Sequence, residues 1–314
     1  MQFLDAAAVA SRLDRRVLID ALDAAFREPH SIPVRQHYSL EPTSSGQHGG
    51  MLLVMPAWDA GHALGVKLVT VFPDNGARSL PSVWASYVLM DRDTGQPRAF
   101  IDGTELTVRR TGAASALASR HLSRPESSRL FMVGTGKLAP HLIESHAVVR
   151  PITDVRIWGR NAARAAALAA TLRRPGLSVT ATDDLEGGAR WADIVSCATL
   201  SRQPLVRGAW LEPGQHLDLV GAYTPQMCEA DDEAVARSEI YVDTRSGVLS
   251  ESGEIVGAIA RGVIQESALR AELSDLPRGS FRRSTPQAVT LFKSVGTALE
   301  DLVAAEIVAG AASP

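Results

Sequence analysis

The segment Gly134-Thr135-Gly136-Lys137-Leu138-Ala139 is the clearest chemical signal in the 314-residue chain. An apolar run ending at Val133 leads straight into Gly134-x-Gly136-x-x-Ala139, and a helix-like stretch follows. In such a loop the first glycine permits a tight turn. The second lets the backbone approach a pyrophosphate, and the small third residue lets the helix pack on the strand. The helix N-terminus then offers free N–H groups and partial positive charge to phosphates. A plain tight loop could use the same glycines. The strand–turn–helix context and the strand–helix units that follow favour a dinucleotide site, with Thr135 on the loop.

The next strand bears on which dinucleotide. NAD-binding versions usually end it with an acid for the ribose 2′-OH. Here Val155-Arg156-Ile157-Trp158 runs into Gly159-Arg160-Asn161, with no carboxylate at the tip. Arg160 is placed to meet a 2′-phosphate, so NADPH is expected over NADH, with NADH still possible. The alternative is an ordinary solvated arginine.

Two cations elsewhere sit in apolar surroundings. Lys67 lies in Leu64-Gly65-Val66-Lys67-Leu68-Val69-Thr70-Val71-Phe72, a strand apolar on both faces. A lysine buried there needs an anion beside it; one that snorkels from a sheet edge does not. Arg110 stands near the start of an Ala-rich helix, where the dipole disfavours a cation, so a fixed partner or a function is expected. Arg35, after Pro33, means nothing alone.

The elements that must position these residues fall into two patterns. Residues 5–28 read as one or two amphipathic helices, and 29–50 as irregular, including the polar stretch Thr43 to Gly50. Strand-like runs follow at 51–55, 64–72, 82–91 and 98–102, then a helix over 107–122. From 129 onward, strands at 129–133, 154–158, 178–181, 194–198, 216–220 and lastly 240–242 alternate with helices, which predicts a parallel sheet covered on both faces. Residues 290–308 read as one helix. The fold class is α/β.

Composition excludes several functions. The net charge of −3, from 32 basic and 35 acidic residues, has no basic run, so nucleic acid and anionic membranes are not expected partners. Cys197 and Cys228 form no metal-ligand pattern, and no metal site is expected. No apolar run is long enough to cross a membrane, and the first residues do not resemble a signal peptide. A cytoplasmic protein is expected.

Taken together, these residues resemble the ornithine cyclodeaminase/mu-crystallin family. The stretches that carry the resemblance are Met55-Pro56, Gly65-Val66-Lys67, Phe72-Pro73-Asp74-Asn75, Asp102-Gly103-Thr104, Arg110-Thr111, the Gly134 loop, Asp193-Ile194-Val195 and Phe292-Lys293-Ser294-Val295-Gly296. They span nearly the whole chain in order. The resemblance implies a Rossmann NAD(P)-binding domain, residues 119–287, inserted into a strand-rich α+β substrate-binding and dimerisation domain, residues 1–118 with a C-terminal helix over 288–314. It also implies a homodimer. By motif, Arg35, Lys67 and Arg110 would hold the carboxylate of a small amino or imino acid, with Lys67 also catalytic. Ser82 would lie near the substrate, and Thr199, Ser294 and Val295 would border the nicotinamide.

Two departures decide which family reaction to expect. The cyclodeaminases carry an Asp after the fifth Rossmann strand and a Glu just ahead of the Met-Pro pair. Here Tyr223 stands at the first position, and Leu53 and Val54 at the second. Glu229 and Asp231 are expected to cap or flank the next helix. The expected activity is therefore NADPH-dependent reduction of a small cyclic or open-chain α-imino acid, such as Δ1-pyrroline-2-carboxylate. The alternatives are conversion of ornithine to proline and ammonia with NAD, and a non-catalytic NADP- or ligand-binding protein of the mu-crystallin type.

Overall fold

Aspartates set the first helices. Asp5 accepts Ala8 N at 2.8 Å and Asp14 accepts Val17 N at 3.0 Å, each capping the helix that follows. The computed structural model describes residues 1–42, 49–59 and 63–310; Thr43–His48, in the stretch expected to be irregular, and the last four residues, in the part expected to complete the first domain, lie outside these. The chain forms two compact units, 1–110 with 297–314, and 111–296.

The first unit runs β1 (Gln2–Leu4), α1 (Ala6–Arg12), α2 (Arg15–Ala25), β2 (His30–Ser31), β3 (Gln36–Leu40), β4 (Gly50–Asp59), β5 (Ala63–Val71), β6 (Val83–Asp91) and β7 (Pro97–Asp102). Its seven-stranded sheet has the order β1-β7-β6-β5-β4-β2, with β3 also on β4. β1 pairs parallel and the rest antiparallel. β5 lies between two strands, so Lys67 is not at a sheet edge. Side chains alternate along it: Ala63, Gly65, Lys67 and Val69 are buried, while Leu68 is exposed. β2 and β3 fall where the sequence predicts irregular chain. β3 is exposed at every residue, so it has no inward face and no alternation to read.

Helix α3 (Gly103–Leu122) carries the chain into the second unit. There β8 (Arg129–Val133), α4 (Leu138–Val149), β9 (Asp154–Trp158), α5 (Ala162–Leu172), β10 (Ser178–Ala181), α6 (Leu185–Trp191), β11 (Ile194–Cys197), β12 (His216–Leu219), α7 (Asp232–Ala236), β13 (Glu239–Val242), α8 (Arg245–Glu251), α9 (Gly253–Ala260), β14 (Leu269–Glu272) and β15 (Thr290–Lys293) follow. The sheet is eight-stranded and wholly parallel, in the order β10-β9-β8-β11-β12-β15-β13-β14. Strand order reverses between β8 and β11, the position where open α/β sheets bind ligands.

Two expectations for the C-terminal part fail. β13 is not the last strand, since β14 and β15 follow it. Residues 290–308 are not one helix. β15 sits between β12 and β13, and only after Gly296, at φ 88°, does α10 (Ala298–Ala309) begin. Residues 288–296 lie in the second compact unit. A parallel strand buried on both faces is a short apolar run, and periodicity cannot tell it from a buried helix. α10 returns to the first unit and packs on β4, β5, β6 and α2. Among the described residues no helix is long and apolar enough to cross a membrane, and no cluster suits a metal ion.

Candidate active site

In the second unit, the loop after β8 opens a groove of about 330 Å³. Gly134 has φ 128°, and a Cβ there would stand 2.5 Å from Ala198 O, so both conformation and space require glycine. At Gly136 a Cβ would meet no protein atom within 4 Å. That glycine leaves open room on the groove side, which suits close approach of a pyrophosphate. Ala139 is buried on α4 against the sheet, and no side chain caps the start of that helix. Its first-turn N–H groups can serve an anion.

The groove is lined further by Trp158, Gly159, Arg160, Asn161 and Arg164 on one side and by Ala198, Thr199, Leu200, Ser201 and Leu205 on the other. Among the described residues, no carboxylate lines it. Arg160 and Arg164 are both exposed, and no acid pairs with either among the described residues. Asn161 caps α5 by accepting Arg164 N at 3.1 Å, which sets Arg164 one turn above Arg160. Thr135 packs on Gly159, where a Cβ would lie 2.6 Å from its methyl carbon. Ser294 and Val295 lie at the end of β15, two strands from β11 and outside this lining. The Ser294 hydroxyl donates to Asp243 at 3.0 Å, and Val295 N to the same oxygen at 2.7 Å. Asp231 caps α7, accepting Ala234 N at 2.9 Å, as expected. Glu229 does not cap a helix; it is buried behind Thr199.

In the first unit, Lys67 and Arg110 come together. Lys67 is 1 % exposed and Arg110 4 %. Lys67 Nζ stands 2.7 Å from Asp301 Oδ2, and Arg110 donates to Asp301 Oδ1 at 2.9 Å and to Glu300 Oε2 at 2.5 Å. Thr107 Oγ1 is 3.4 Å from Lys67 Nζ. The anion required for a buried lysine is thus supplied by α10. Burial, then the Arg110 charge, pulls the Lys67 pKa down to about 8, against the pull of Asp301. Arg110 is held as a cation: burial opposes its charge, but Asp301 and Glu300 outweigh it.

Arg35 immediately precedes β3, whose first residue Gln36 pairs with Val54, the neighbour of Met55, and Met55 pairs with Lys67. Its charge is close enough to lower the Lys67 pKa further. Ser82 does not join them. It lies just beyond Val83, the start of β6, while Lys67 pairs with Tyr87. That spacing is roughly 16 Å along the strand. Sequence reasoning missed Glu300 and Asp301. Their signal was present, two adjacent acids in the first turn of a mostly apolar helix.

The sequence profile of the ornithine cyclodeaminase/mu-crystallin family matches residues 1–313. The chain belongs to that family. It is 38 % identical over 312 residues to the delta(1)-pyrroline-2-carboxylate reductase of Colwellia psychrerythraea, covering 98 % of each chain. It is 34 % identical over 263 residues to the ketimine reductase mu-crystallin of Mus musculus, covering 83 % of this chain and 80 % of that one. A solved structure of the delta(1)-pyrroline-2-carboxylate reductase of Thermococcus litoralis, in complex with NADH and L-proline, superposes with a TM-score of 0.93 at 32 % identity, over 99 % of this chain and 97 % of that one.

As a member of the ornithine cyclodeaminase/mu-crystallin family, the chain lacks both carboxylates expected of a cyclodeaminase. Leu53 is buried on β4 two residues from Met55, so it shares the face of Met55 and Lys67. Tyr223 is half-buried, and burial raises its pKa above the ordinary 10.0, so it is no base at neutral pH.

Proposed function

We propose that the protein is an NADPH-dependent reductase of small cyclic α-imino acids of the Δ1-pyrroline-2-carboxylate class, with open-chain α-imino acids as further substrates. The observation that carries this reading is the buried set Lys67, Arg110, Asp301 and Glu300 in a chain that also holds a dinucleotide groove free of acids. The names of the relatives support it.

The groove would hold the dinucleotide: the Gly134–Gly136 loop and the α4 N-terminus would take the pyrophosphate, and Arg160 with Arg164 the 2′-phosphate. When bound, such a cofactor would supply the hydride for the imine carbon. Arg110 and Arg35 hold the substrate carboxylate. Lys67, protonated below about pH 8, gives the imine nitrogen its proton, directly or through water. One hydride and one proton convert the imine to the amine. Cyclodeamination needs more, because an amine must be deprotonated and ammonia must leave. Leu53 and Tyr223 supply no group for those transfers. The second copy in a homodimer is expected to cover the exposed apolar face of the first sheet. The protein is expected in the cytoplasm.

Incubation with Δ1-pyrroline-2-carboxylate should consume NADPH at 340 nm and yield proline, with NADH slower. Ornithine turnover to proline and ammonia without NADPH, at about 1 s⁻¹ or faster, would overturn this reading.

A further inference from the structure

A buried acid stands behind the groove and takes no part in the steps above. Glu229 is fully buried on the loop between β12 and α7. Its Oε1 accepts Thr199 N at 2.6 Å and Thr199 Oγ1 at 2.8 Å. Its Oε2 accepts Gly221 N at 2.8 Å and Ala222 N at 3.3 Å. One carboxylate therefore ties the segment leaving β11 to the segment leaving β12. The fit is close: a Cβ on Gly221 would lie 2.2 Å from Thr199 N and 2.5 Å from Glu229 Oε1.

The charged and titratable groups around Glu229 are Lys293 at the end of β15, Glu254 on α9 and Cys197 at the end of β11. Glu254 Oε1 accepts Glu229 N at 2.7 Å, and its Oε2 is 3.3 Å from Lys293 Nζ. Lys293 thus pairs with Glu254, its charge also reaches Glu229, and all three side chains are buried. Burial, partly offset by Lys293 and reinforced by Glu254, pushes the Glu229 pKa up to about 7.

The proton state of Glu229 sets what Thr199 offers to the groove. An ionised carboxylate only accepts. The Thr199 hydroxyl must then donate to it, and Thr199 Oγ1 also takes Ser201 N at 3.3 Å. Only acceptor capacity remains for a ligand. A protonated Glu229 donates to Thr199 Oγ1 instead, and the hydroxyl hydrogen turns outward.

We propose that Glu229 is a positioning residue for the dinucleotide: ionised, it presents Thr199 to the groove as an acceptor for an N–H donor such as the nicotinamide carboxamide, and its protonation reverses that polarity and weakens binding. The inference rests on the groove being the dinucleotide site.

The test is NADH affinity by fluorescence titration between about pH 6 and about pH 8. NADH is the probe because a 2′-phosphate titrates itself near pH 6, at about its second pKa. One linked proton limits the change to about tenfold per pH unit. Wild-type affinity should fall about fivefold or more from pH 8 to pH 6. Glu229→Gln should bind more weakly at pH 8 and show a flat profile. Thr199→Val leaves the acid in place and should also be flat, which keeps the test open if Glu229→Gln does not fold. A pH-independent wild-type affinity, or a Thr199→Val variant that keeps the wild-type slope, would overturn the inference alone. Failure of the wild type to bind either coenzyme at any pH would overturn the assignment of the groove as well.

Discussion

Lys67 is poised to change its proton state because burial and Arg110 oppose its charge more than Asp301 supports it. Lys67→Met should fold, bind coenzyme, and lose at least about a hundredfold in turnover, the scale of a positioned proton donor. The wild-type rate should fall as the pH rises through about 8, and the residual rate of the variant should lack that limb. For stability the sign is fixed by the depressed value. Between about 8 and 10.5 the unfolded chain holds a proton that the folded chain has released, so this lysine's contribution to stability rises with pH there. Near-normal kinetics for Lys67→Met would assign the residue to structure. Arg160 makes a separate claim. Its loss in Arg160→Ala should weaken NADPH about ten- to a hundredfold, equivalent to about 1.5–3 kcal/mol, and leave NADH nearly unchanged. Arg164 lines the same groove, so removing both should cost more than either alone. Equal losses for the two coenzymes would show that Arg160 does not read the phosphate.

Helix α10 is the element that makes the cation pair possible. Glu300 and Asp301 lie in its first turn, where the helix dipole favours negative charge, and both are fully buried. The rest of the helix is mostly small and apolar and packs on β4, β5 and β6. Asp301 bridges Lys67 and Arg110, so Asp301→Asn leaves two buried cations with one acid. Breaking one side of a buried pair costs about 3–5 kcal/mol. The urea midpoint of Asp301→Asn should drop accordingly, and the alkaline limb of its activity should move to lower pH, since Asp301 supports the Lys67 charge. A midpoint within error of wild type would refute the bridging role.

At the scale of the molecule, the first sheet has two unlike faces. Lys67, Met55 and Tyr87 share the face that is buried. Phe3, Leu68, Trp84 and Phe100 share the opposite face and are exposed, with Phe3 and Phe100 directly paired across β1 and β7. Large exposed apolar patches mark association sites. Sedimentation velocity should show a dimer, and Leu68→Glu with Trp84→Glu should shift it to monomer without loss of secondary structure. A wild-type monomer at micromolar concentration would remove the dimer from the proposal.

The local features of this chain were readable because they depend on neighbours in sequence. The glycine loop, the strand that feeds it and the bare tip of β9 are set by backbone sterics and by which side chains follow one another. The need for an anion beside Lys67 also followed from sequence, since burial of an apolar strand buries its lysine. The identity of that anion did not. Asp301 lies 234 positions away, 301 minus 67, and only packing of α10 on β5 brings it to 2.7 Å. β15 is hidden in the sequence for a related reason: a strand buried on both faces carries no periodicity, and its place between β12 and β13 comes from pairing with strands far along the chain. Glu229 belongs to the same class. Its sequence neighbours suggest a helix cap, and only the tertiary fold turns it away from solvent and onto Thr199, where burial and a second acid decide its proton state.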